Sequence, residues 1–151
     1  MRFAGRLFPW LAALLAALVW AMPASAENMQ DFGEYVVHYN ALTTDMLPPK
    51  VAHEYGIKRS RSRGMLNIVV LKKVLGATAQ PVAARVEGKA VSLTGVSMPL
   101  SFREIREPNA IYYIAELKVH NEERLRFEIT AQPEGQKEAL KVVFSKQFFT
   151  E

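Results

Sequence analysis

Arg124-Leu125-Arg126-Phe127-Glu128-Ile129-Thr130 places a large apolar side chain at every second position and a polar or charged one between. Successive side chains of an extended strand point to opposite faces, so this period of two describes a strand with one face buried and one in water. The preceding stretch repeats the pattern. Ile111, Tyr113, Ala115, Leu117 and Val119 alternate across residues 110–120, with Glu116, Lys118 and His120 on the other face. Leu140, Val142, Phe144 and Phe148 do the same near the C-terminus, although Lys146 interrupts their face.

Shorter alternating or β-branched runs mark strands at 35–39, 65–71, 82–86, 90–93 and 100–105. Turn residues separate them. Glu107-Pro108-Asn109-Ala110 predicts a tight hairpin, His120-Asn121-Glu122-Glu123 joins the next pair, and Gly88 and Gly95 punctuate the middle. Pro133-Glu134-Gly135 opens the last connection. Seven or eight short strands with turns at even spacing predict an all-β, antiparallel sandwich rather than βαβ units. One segment departs from this. Pro49 and Gly56 bracket Lys50-Val51-Ala52-His53-Glu54-Tyr55, which predicts a short helical turn near residues 49–55.

The chain of 151 residues begins with the parts of an export signal. Arg2 and Arg6 form a positive region, residues 7–22 carry no charge, and Ala24-Ser25-Ala26 supplies a small-x-small cleavage pattern. Cleavage after Ala26 is expected, leaving residues 27–151 as one domain; an uncleaved anchor is the competing reading. Removing residues 1–26 takes away two arginines and no acid, which lowers the formal net charge from +4 to +2. The processed chain is nearly neutral, periplasmic and not integral to a membrane. With no cysteine, thiol chemistry and a lipidated N-terminus are excluded, and stability has to come from packing.

Lys58-Arg59-Ser60-Arg61-Ser62-Arg63 puts four cations into six residues. Export separates this run from chromosome and ribosome, so nucleic acid is not the expected partner despite its chemistry. Two readings remain: arginines paired with nearby acids, for which Glu54, Glu104 and Glu107 are candidates, or a surface for an anionic envelope component. Tyr113 is expected in the core and its neighbour Tyr112 outside it. With Arg103 or Arg106 across the hairpin, Tyr112 forms a second candidate contact surface, or a stabilising cross-strand pair.

Other chemistry finds little support. His38, His53 and His120 are 15 and 67 residues apart, without the close spacing of strong zinc or copper sites. The two aspartates beyond residue 26, Asp31 and Asp45, do not make a calcium loop. No Gly-x-Ser-x-Gly phrase marks a hydrolase nucleophile. Glu104, Glu107, Glu116 and Glu128 fall where charge meets water rather than as a catalytic pair. No enzyme activity, cofactor or metal is expected.

The phrases "DFGEYVVHYNAL", "VAHEYGIKRSRSRGMLNIVVLKK", "PLSFREIRE", "AIYYIAELKVHNEERLRFEI" and "VVFSKQFF" resemble a bacterial exported family known as domain of unknown function 4426. The resemblance spans nearly all of residues 27–151 and is most specific from Phe102 to Ile129 and around Arg59. It implies a periplasmic, immunoglobulin-like sandwich of no assigned activity, and transfers no functional residues. The expected function is an interaction or accessory module that binds an envelope protein or an anionic envelope component. The alternative is a small-ligand or metal-binding carrier, and Arg59, Arg61, Arg63, Arg103, Arg106 and Tyr112 are the candidate contact residues.

Overall fold

A computed structural model describes residues 28–151. The expected export segment, residues 1–26, lies outside the described residues. Ten strands run β1 (Met29–Asp31), β2 (Tyr35–Thr43), β3 (Arg63–Lys72), β4 (Gln80–Pro81), β5 (Ala84–Ser92), β6 (Ser97–Leu100), β7 (Arg103–Glu107), β8 (Ala110–Lys118), β9 (Glu123–Pro133) and β10 (Leu140–Phe148). One sheet has the order β1-β2-β3-β8-β7, with β4 on the far end of β3; the other has the order β10-β9-β5-β6. All pairings are antiparallel.

The alternation at 124–130 lies in β9. Its Leu125, Phe127, Ile129 and Ala131 are buried against the first sheet, while Arg124, Arg126 and Glu128 face outward. Phe127 stacks on Phe144 at a centroid distance of 5.1 Å and meets Phe148 edge-on at 6.4 Å. Tyr39 of β2 stacks on the other side of Phe144 at 4.3 Å. This aromatic column ties β2 to β10 and β9 across the sandwich. Each ring that it removes from water stabilises the fold by about 1.5–3 kcal/mol.

Set aside β1 and β4, and the chain order gives β2-β3-β8-β7 facing β10-β9-β5-β6. Lettered A to G, that is A-B-E-D against G-F-C with an added C′, the connectivity of immunoglobulin sandwiches.

Two sequence expectations are corrected. Residues 82–86 and 90–93 are not two strands divided at Gly88 but parts of β5, which runs straight through that glycine. Gly88 is there for space: a Cβ would come within 2.5 Å of Ile129 Cδ1 and 2.7 Å of the Glu128 carbonyl oxygen. Residues 100–105 are not one strand; the chain leaves β6 in one sheet at Leu100 and enters β7 in the other at Arg103. His120-Asn121-Glu122-Glu123 joins the next pair, β8 and β9, as expected, and carries the chain from one sheet to the other, with Glu122 left-handed at φ 57°. The Pro108-Asn109 hairpin does form, with Glu107 opposite Ala110.

The helix α1 (Pro49–Glu54) has proline in its first turn, and Gly56 follows it at φ 65°. It folds back over the outer face of the first sheet. Ala52, Ile57, Leu47 and Tyr55 cover Met65, Ile114, Ile105 and Tyr112, so β8 is covered on both faces.

Candidate functional site

The register places four pieces of chain at one end of the sandwich: residues 44–62, 93–96, 119–122 and 149–151. The basic run belongs to this end. Thr44, fully buried, holds it in place, its hydroxyl donating to the Lys58 carbonyl at 2.8 Å and accepting the Ser60 amide at 2.9 Å. Further along, the Val119 amide donates to the Ser62 carbonyl at 3.0 Å. Residues 58–62 are thereby tied to η1, the 3-10 turn Thr44–Met46, and to the segment after β8.

Between that connection and the end of β8 lies a groove of about 440 Å³, lined by Lys58, Ser60, Ser62, Arg63, Glu116 and Lys118, with Leu117. The Ser60 and Ser62 hydroxyls are 3.0 Å apart. Arg63 Nη2 reaches Glu116 Oε1 at 3.3 Å. Lys58 and Lys118 form no ion pair among the described residues. With one acid offset by Arg63, the groove carries the two lysine charges unopposed beside two hydroxyls. That combination suits an oxyanion, which accepts from ammonium and hydroxyl donors alike.

The arginines of the run have structural partners, though not the acids expected for them. Arg59 Nη2 donates to the Asp45 carbonyl at 2.6 Å, and Arg61 Nε lies 3.7 Å from Asp45 Oδ2. Glu54 is instead 3.9 Å from Lys50. Sequence spacing could not show this, because Asp45 reaches the run only when residues 44–62 fold back on themselves. Lys118, the groove's other lysine, was missed as a candidate; its signal was a cation at the end of a strand.

The second expected surface is not assembled. Arg103 stands opposite Ile114 and Arg106 opposite Ile111, so the two arginines lie on opposite faces of β7. Tyr112 is not outward but half-buried beneath α1, 6.3 Å from the Tyr55 ring. Arg103 Nη2 donates to the Tyr55 carbonyl and locks the helix end, while the Tyr55 hydroxyl donates to Glu107 Oε1 at 3.1 Å. Burial, then the Glu107 carboxylate, pushes the Tyr55 phenol up. Arg106 Nε donates to Glu104.

The histidines do not converge. His38 lies on the outer face of β2 opposite Val69, in a hollow with Asn40 and Asn67; His53 is on α1; His120 Nδ1 lies 3.1 Å from Glu123 Oε2. Among the described residues no group of three or more His, Asp or Glu is placed to hold a metal ion. No helix among them is long and apolar enough to cross a membrane.

These features define a small antiparallel β-sandwich with a basic end and a helix-bearing connection. The chain belongs to the family described as domain of unknown function DUF4426, whose model matches residues 29–151. A crystal structure of a protein of that family from Pseudomonas aeruginosa PAO1 is 38% identical, with a TM-score of 0.69, over 80% of this chain and 93% of that one. FetP of uropathogenic Escherichia coli strain F11 shares the fold at 10% identity, with a TM-score of 0.57, over 80% of this chain and 92% of its own. No curated protein matches the sequence.

Proposed function

We propose that this protein is a non-enzymatic periplasmic interaction module whose basic groove binds an anionic component of the envelope. The observation that carries the reading is the pair Lys58 and Lys118, facing one groove with two serine hydroxyls and no acid partner of their own. The Arg2-to-Ala26 segment supports export. FetP, which shares the fold, was produced in the periplasm of Escherichia coli. The groove lies open to solvent at the end of the sandwich, which fits a surface that meets a partner better than a pocket that carries a small molecule.

Titrating inorganic phosphate against isotope-labelled protein tests this. The Ser60 and Ser62 amides shift first, and Lys58→Gln with Lys118→Gln abolishes the shifts while melting stays within a few degrees. Uniform small shifts, or shifts that survive the double substitution, count against the groove.

A further inference from the structure

The end that carries the groove also exposes apolar side chains that the groove does not use. Met46 is 71% and Phe149 61% exposed, and with Leu42, Thr43, Lys146 and Phe148 they surround a hollow of about 150 Å³. The 93–96 turn at the same end exposes Leu93 (82%) and Val96 (58%). Of the other exposed large apolar residues, Val74 and Leu75 lie at the opposite end and Val143 on an outer sheet face. Single exposed apolar side chains need no explanation. Three separate pieces of chain presenting them at one end, beside cations, do.

The cations are close. Arg59 and Arg61 both meet Asp45, the residue before Met46, and Lys146 borders the hollow itself. Asp45 and Glu116 are offset by Arg61 and Arg63, and Glu123 lies against His120. Glu122 and Glu151 are the acids at this end outside such pairs.

Resting on the anionic reading of the groove, we propose that this end docks onto a bilayer surface bearing anionic phosphate headgroups. Met46 and Phe149 enter the interface, while Lys58, Lys118, Arg59 and Lys146 hold headgroup phosphates. Peripheral attachment needs two signals, apolar burial and attraction between cations and anionic lipid. This end has both. A soluble acidic partner accounts for the lysines but leaves the apolar tips in water. A second copy covers the tips but brings the two basic ends together, and like charges oppose that pairing.

The test uses residues 27–151, which contain the whole sandwich, and vesicles of equal phosphatidylglycerol and phosphatidylethanolamine, with phosphatidylcholine vesicles as the neutral control. Flotation with the anionic vesicles alone is expected, falling several-fold between 50 and 500 mM salt as the charges are screened. Trp10 and Trp20 are the chain's two tryptophans, so Phe149→Trp gives residues 27–151 a sole tryptophan, excited apart from the tyrosines at 295 nm, whose emission shifts to the blue on anionic vesicles. Met46→Ser with Phe149→Ser lowers flotation about tenfold and leaves the phosphate-induced amide shifts and the melting temperature unchanged. Phosphate shifts that need Lys58 and Lys118, without flotation, overturn the membrane inference and spare the groove. Neither shifts nor flotation overturns both. Dimerisation that the double serine variant abolishes, without flotation, assigns the tips to a second copy and overturns the inference.

Discussion

The Ser60 amide donates to the Thr44 hydroxyl across 2.9 Å, and that one buried side chain also satisfies the Lys58 carbonyl. Lys58 and Ser60 both line the groove, so the groove's wall hangs on a residue sixteen positions earlier. Thr44→Val keeps the shape and removes the hydroxyl, leaving an amide and a carbonyl without that partner. Leaving such groups unmatched costs about 1–3 kcal/mol. The expected outcome is a lower denaturant midpoint together with weakened phosphate shifts at Ser60. A variant with unchanged midpoint and shifts would show the wall to be held elsewhere.

Gly88 stands opposite Ile129 in β9 and Leu100 in β6. An added methyl at Gly88 meets both a side chain and a backbone oxygen, and only the side chain can turn aside. Gly88→Ala is therefore expected to destabilise by about 1–3 kcal/mol, as overpacked cores do. Ile129→Val in the same chain recovers only part of that, because the Glu128 carbonyl stays where it is. Thermal melts of the three variants check the order, and full recovery would put the strain on Ile129 alone.

Tyr113 clasps the two sheets. Its hydroxyl accepts the Ala84 amide at 2.8 Å and donates to Glu104 Oε2 at 3.2 Å. Burial pushes its phenol up from the usual value of about 10. A group whose folded pKa is raised contributes stability that is fully present below the unfolded pKa and is lost as pH rises through the folded one. Stability should therefore hold up to about pH 10 and fall above it. Tyr113→Phe costs about 1–3 kcal/mol at neutral pH by stranding the Ala84 amide, and its alkaline limb is flatter. Denaturant melts from pH 8 to 11 measure both, and parallel limbs for the two proteins would remove Tyr113 from the account.

Export predicts that protein recovered from a periplasmic fraction begins at Glu27, which intact mass determines directly. A membrane-bound chain that retains residues 1–26 would establish the anchor reading instead.

The strand-rich character, the core face of β9, the Pro108-Asn109 hairpin and the Pro49-to-Gly56 helix were legible because each depends on residues near one another in the chain. Alternation, turn residues and helix caps are local signals, and they mark elements reliably wherever one face of a strand meets water. Gly88 was misread as a turn because a strand glycine that makes room for a neighbour and a glycine that bends the chain look alike in sequence. The switch of sheets at residues 101–102 was invisible for a related reason, since the apolar spacing of Leu100, Phe102 and Ile105 says nothing of which sheet each belongs to.

By itself the sequence determined the strand-rich class, the core face of β9 and the chemical character of the run at 58–63. Tertiary structure alone decided its partners. Asp45 meets Arg61 because residues 44–62 fold back on themselves, whereas Glu116 meets Arg63, and Lys118 joins Lys58, because β8 pairs with β3. Tyr112 lost its outward position to α1, whose apolar residues needed a surface to cover and found the outer face of β8. Pairing between distant residues is set by packing, and periodicity carries no record of it.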